Sequence, residues 1–111
     1  MIKNSNSLLK FIFHIHTDGS LDGSIRAQGL IDYCRKNVID VIAICDHNSI
    51  DIAKKAQALS GGYPRVIIGE EIKTKQGEII GLFLDKNIAK GLNVLDTISE
   101  IRKQNGLVCL P

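Results

Sequence analysis

The sequence has few cysteines, few aromatic residues, little net charge and no long apolar run. Each shortage closes off a class of function. Only Cys34, Cys45 and Cys109 occur, an odd and widely spaced set that argues against a disulfide framework. Each sits among apolar neighbours and reads as a buried free thiol. The net charge of +2 gives no support for a nucleic-acid partner or a membrane surface. No stretch reaches the roughly 18 apolar residues of a spanning helix, so no membrane role is expected. The opening MIKNSNSLLKFIF has a short apolar stretch and no cleavage site after it, so a cytoplasmic location is expected. Repeats and low-complexity segments are lacking. So is a glycine-rich phosphate loop, because SGGYP has neither the lysine nor the following helix pattern. With 111 residues there is room for at most one domain. The chain stops at Pro111, inside or just after an apparent strand and without a polar tail, so a fragment is expected.

What is present is an alternation of strands and helices. Leu8 to Phe13 reads as a buried strand. Ser24 can cap a helix from Ile25 to about Lys36, with Ala27, Leu30, Ile31 and Cys34 as its buried stripe. Val41 to Cys45 is a continuous, largely β-branched run typical of a parallel strand buried on both faces. A helix over about Ile50 to Leu59 follows, with Ile52, Ala53, Ala56 and Leu59 inward, and GGYP breaks it. RVII is a third strand, ended by GEE. The segment EIKTKQGEIIGLFL predicts a hairpin turning near Gln76-Gly77. Asn93 can cap a last helix with Leu95, Ile98 and Ile101 on one face, Asn105-Gly106 ends it, and LVCL is a last strand. Such alternation implies a parallel sheet, whose active groups lie at the C-terminal ends of strands.

The polar residues fall at those ends. His14 and His16 follow the first strand, His47 the second, and Glu70 and Glu71 the third. Residues i and i+2 of an extended chain point the same way, so His14 and His16 can grip one ion. Imidazole with carboxylate suits Zn, Mn or Fe. A single histidine on a strand is more often a hydrogen-bonded core group. A His-x-His pair with two further polar strand ends favours a metal. Glu70 alone reads as a solvated charge or a support behind the ligands. Asp46 either orients a ligating imidazole or makes a turn at a helix start.

Two rival chemistries fail on spacing. DGSLDG opens like a calcium loop, with Asp18, Ser20, Asp22 and Gly23 in place, but the twelfth position is Gly29 instead of Glu and a strand precedes it. Cys45 precedes Asp46-His47 yet ends an apolar run with no obvious activating cation, so packing explains it better than catalysis.

Taken in order, HIHTDGSLDG, AICDHNS and IIGEEI resemble the first three motifs of the PHP (polymerase and histidinol phosphatase) superfamily. The resemblance covers almost the whole chain from about Phe11. It implies an α/β fold, the N-terminal half of a distorted (β/α)7 barrel with parallel strands and flanking helices. Residues 1–111 would then be a single partial PHP domain. It also implies up to three divalent metal ions, Mn, Zn or Fe. His14 and His16 match the family's His-x-His. Asp22 falls eight residues after the first histidine, where several branches carry an Asp or His ligand. His47 matches the end of the TDH motif, with Cys45 replacing the usual threonine. Glu71 matches the Glu of Gly-x-Glu, which leaves Glu70 as the variable position. His14, His16 and Glu71 would hold one ion, Glu71 would bridge to a second, and Asp22 with His47 would hold a third. Asp46 and Glu70 would support these ligands.

The implied activity is metal-dependent phosphoesterase chemistry, the hydrolysis of a phosphate ester by metal-activated hydroxide. The substrate would be a phosphorylated small molecule or a nucleotide. GEIIGLFL and IRKQNGLVCLP resemble the stretch leading to the family's His-Pro motif, and later ligands would lie beyond Pro111. Residues 1–111 alone are therefore expected to be weakly active or inactive. An unpaired strand edge would favour self-association. The alternative is a non-catalytic metal-binding or structural module of a larger, polymerase-like protein.

Overall fold

A computed structural model describes residues 8–19 and 23–111. Asp22 and Ser20 lie outside the described residues. The elements run β1 (Phe11–Ile15), α1 (Ala27–Lys36), β2 (Val41–His47), α2 (Asp51–Ser60), β3 (Arg65–Thr74), β4 (Gly77–Leu82), α3 (Val94–Lys103) and β5 (Leu107–Cys109). They form a mixed α/β structure around one five-stranded sheet of order β1-β2-β3-β4-β5. β1, β2 and β3 pair in parallel, and β4 runs antiparallel to both β3 and β5. The expected hairpin therefore places one antiparallel strand in an otherwise parallel set.

The two faces of the sheet differ because strand side chains alternate. Ile42, Ile44, Ile68, Ile72 and Ile79 pack with the stripe Ala27, Leu30, Ile31 and Cys34 of α1 and with Ala53 and Ala56 of α2. This is the larger core. The opposite face carries a smaller cluster of Ala43, Cys45, Ile80 and Leu82. Gly69 fits there because a Cβ would lie only 2.9 Å from the Cys45 sulfur.

Several expected boundaries shift. Leu8 and Leu9 are exposed, and the first strand starts at Phe11 and runs to Ile15. α1 starts at Ala27, and its first turn has no side-chain cap, so Ser24 does not cap it. Leu59 lies at the exposed edge of α2. β3 continues through Glu70 and Glu71 to Thr74. Asn93 does cap α3, accepting the Asp96 N–H at 2.8 Å. Ile101 of α3 is buried, whereas Leu95 is 78% exposed. Cys34 and Cys45 are buried free thiols, and Cys109 is half-buried. Among the described residues no helix is long and apolar enough to cross a membrane.

Candidate metal centre

β1 ends in an irregularity that aims its histidines. Phe11 and Ile12 pair with Val41 and Ile42, but the next pair is Ile15 with Ile44, so β1 holds one extra residue. This is the count of a β-bulge. His14 sits in the bulge with φ 67°, in the left-handed region that histidine enters more readily than most residues. The simple i, i+2 alternation expected for His14 and His16 is therefore broken. Their rings nonetheless meet, because the bulge turns the chain between them: the two Nε2 atoms are 3.1 Å apart.

Glu71 closes this pair. In the parallel ladder His47 stands opposite Glu71, so both project from the same face of the sheet. Glu71 Oε1 lies 2.9 Å from His14 Nε2, 2.9 Å from His16 Nε2 and 3.6 Å from His47 Nδ1. The carboxylate is almost wholly buried and the imidazoles are partly exposed, so the centre opens to solvent on the histidine side. Asn48 sets the height of β2 against β3. It adopts φ 55°, donates its N–H to the Glu71 carbonyl at 3.0 Å, and accepts the Lys73 N–H at 3.1 Å.

The spacing of the donors suits an ion. Three ligand atoms held about 2.1 Å from one ion at right angles are about 3.0 Å apart. His14 Nε2, His16 Nε2 and Glu71 Oε1 are 2.9, 2.9 and 3.1 Å apart. Hydrogen bonds alone account for them less well. Both imidazoles would donate to one oxygen, leaving donor facing donor across the 3.1 Å contact. A cation turns all three groups into acceptors of one partner. His14, His16 and Glu71 form one group able to hold a metal ion, and His47, Glu71 and Glu78 form another.

Glu78 was not anticipated from the sequence. It lies at the start of β4, and its Oε2 is 3.1 Å from His47 Nδ1. The search for polar groups at the C-terminal ends of strands passes over it. β4 runs antiparallel, so its N-terminal end reaches the mouth where β2 and β3 finish. The usable signal was the hairpin turn itself, which returns the next residues to the same mouth.

Asp46 and Glu70 face away from the cluster, since they alternate with His47 and Glu71 along their strands. Asp46 Oδ1 accepts the Thr17 N–H at 2.6 Å and Oδ2 accepts the Thr17 hydroxyl at 2.5 Å. Thr17 is fully buried and follows His16 directly, so Asp46 fastens the segment that carries His16. Two glycines permit this close fit. A Cβ on Gly19 would lie 2.7 Å from Asp46 Oδ2, and one on Gly23 would lie 2.0 Å from the Thr17 carbonyl oxygen. Glu70 is not a solvated charge. It is fully buried, and its Oε1 accepts the Ile88 N–H at 3.0 Å. Burial pushes its carboxyl up to about 7, only partly offset by that N–H. Among the described residues its Oε2 has no hydrogen-bond partner. Burial also pushes the Cys45 thiol up to about 12, and the Glu71 carboxylate adds to the shift. Both effects disfavour a nucleophilic thiolate there.

Residues 13–107 match the PHP domain family. The uncharacterized protein MJ1587 of Methanocaldococcus jannaschii is 37% identical over 114 residues, covering 93% of this chain and 67% of that protein. The uncharacterized protein MJ0417 of the same organism is 36% identical over 105 residues, covering 93% of this chain but 39% of that one. A two-domain protein from Bacteroides vulgatus, described as containing a predicted PHP-like metal-dependent phosphoesterase, superposes with a TM-score of 0.75 at 21% identity. The match covers 90% of this chain and 34% of that one. An amidohydrolase from Chromobacterium violaceum, solved with sulfate and no metal, superposes with a TM-score of 0.61 at 19% identity. It covers 85% of this chain and 32% of that one. The chain thus has the fold of part of two larger solved proteins.

Proposed function

The chain belongs to the PHP domain family, and from that premise we propose that it is part of a metal-dependent phosphoesterase. The observation that carries this reading is the placement of Glu71 Oε1 at 2.9 Å from both His14 Nε2 and His16 Nε2. His14, His16 and Glu71 would hold a divalent ion, Mn, Zn or Fe. When bound, such an ion supplies an acidified water and positive charge for phosphoryl oxygens. The task of this chain's residues is to fix the ion and leave one side open. Glu71 brings the buried negative charge, the bulge at His14 aims the two rings, and Asp46 anchors Thr17 behind His16. Asp22 and His47 are proposed as further ligands, as the family motifs imply. The substrate class is a phosphorylated small molecule or nucleotide. The half-barrel architecture belongs to the same proposal.

The test is turnover of a panel of phosphate mono- and diesters by the intact protein with Mn²⁺, Zn²⁺ or Fe²⁺, beside His14→Ala. Activity that depends on metal and falls at least about 100-fold in the variant supports the reading. Metal bound without turnover of any ester would favour a structural metal-binding module instead.

A further inference from the structure

We propose that Lys73 reads the charge of the phosphate ester and favours phosphomonoesters over phosphodiesters. The inference rests on the phosphoesterase reading above and narrows its substrate class. β3 runs past Glu71 to Thr74, so the β3–β4 hairpin stands as a wall beside the mouth. Lys73 is two residues beyond Glu71 on the same face of the strand, about 6.6 Å further along it. Ile72 and Thr74, which alternate with Lys73, are buried on the other face, whereas Lys73 is exposed. Its partner across the ladder is Glu78, whose Oε2 lies 3.1 Å from His47 Nδ1, so the row that holds Lys73 faces the imidazoles. The backbone of Lys73 is held on both sides. Asn48 Oδ1 accepts its N–H at 3.1 Å, and its carbonyl accepts the Gly91 N–H at 2.8 Å. The turn beyond it is tied down too, by the Lys75 N–H on the Leu92 carbonyl and by Gln76 Oε1 on the Val94 N–H, each at 2.9 Å. The side chain therefore starts from a fixed strand. A lysine opposite a glutamate usually forms a cross-strand ion pair. Here Glu78 is turned to His47, and among the described residues Lys73 forms no ion pair. This places an ammonium at the rim of a centre built from imidazoles and carboxylates. Its four-carbon stem gives it the reach to meet an ester held beside His14, His16 and Glu71. Above pH 7 a phosphate monoester carries about two negative charges and a diester about one. The ammonium therefore attracts the monoester more strongly.

The experiment uses the intact protein loaded with Zn²⁺ and three probes: p-nitrophenyl phosphate, bis(p-nitrophenyl) phosphate and inorganic phosphate. The wild type should show the higher kcat/KM for the monoester. Lys73→Met should lower that value at least about tenfold and the diester value less than about threefold. Calorimetry at pH 8 should show inorganic phosphate binding weakened at least about tenfold, with Zn²⁺ content unchanged. Lys73→Arg should restore most of both losses, which separates the charge from the fold of the hairpin. A wild type that prefers the diester overturns the proposal. So does a Lys73→Met variant that loses both esters equally or neither, and these outcomes leave the phosphoesterase reading standing. Hydrolysis of neither ester by the wild type overturns the phosphoesterase reading. A phosphate affinity that depends on Lys73 would then still support Lys73 as the phosphate contact, and an unchanged one overturns both.

Discussion

Glu70 and Glu71 are neighbours on one strand and meet opposite surroundings. Glu71 faces three imidazoles at the open mouth of the sheet. Glu70 faces the helix-packed side, fully buried, with one backbone N–H for company. Alternation along a strand separates a carboxylate that can bind a cation from one that burial makes harder to ionise and that ties down the loop at Ile88. Each role comes from the face and not from the residue type. The same contrast separates His47 from Asp46 one strand away.

Four changes sharpen or break this contrast. The largest effect is expected from Glu71→Gln. Metal affinity should fall more than about 100-fold, beyond the ten- to hundredfold lost with outer partners. The stability of the chelated protein should barely move. Calorimetric titration and thermal unfolding of the metal-free protein check both halves. Asp46→Ala comes next and should act on both faces at once. It strands the buried Thr17 N–H and hydroxyl, so stability should drop by about 3 kcal/mol, and metal affinity should weaken through His16. Chemical denaturation and metal titration of the same preparation would show it. A loss of stability with metal affinity untouched would separate the Asp46–Thr17 link from the site.

Glu70→Gln should change the pH dependence of stability and leave metal affinity nearly alone. The folded carboxyl titrates at about 7, against an ordinary value of 4.5. Below about pH 4.5 the folded and unfolded chains both hold the proton. Between about 4.5 and 7 the unfolded chain releases it first, so wild-type stability falls as pH rises and levels off above the folded value. The variant should lose that fall, gaining up to about 3 kcal/mol relative to wild type across the window. Urea unfolding at pH 4.5 and pH 8 measures it; parallel slopes for the two proteins would contradict the buried-acid assignment. The smallest effect is expected at Leu95, on the exposed side of α3. Leu95→Gln should shift stability by less than about 0.5 kcal/mol, which the same assay can verify.

Much of the architecture was legible because periodicity is a strong signal where a helix packs on a sheet. Ala27, Leu30, Ile31 and Cys34 were readable as a stripe for that reason, and the Val41–Cys45 run as a buried strand. Leu95 misled because helical spacing does not say how far the sheet extends. α3 seats Val94, Thr97, Ile98 and Ile101 against the core and turns Leu95 to solvent. Ser24 carried a capping signal, yet the chain stays extended through Arg26 before the helix begins. At the site, His14 and His16 stood out by spacing, but the bulge that joins them left no sequence mark. Spacing alone could not choose between Glu70 and Glu71. The Gly-x-Glu resemblance chose Glu71, and the ladder brings that residue to the histidines. Glu78 was missed because its strand runs the other way.

The most direct test of the metal centre is anomalous diffraction from crystals of the intact protein grown with Zn²⁺ and measured at the zinc edge. The account predicts a peak about 2.0–2.2 Å from His14 Nε2, His16 Nε2 and Glu71 Oε1 together. A map with no peak among these three atoms, in crystals where zinc binds elsewhere, would contradict it and return the histidines to packing.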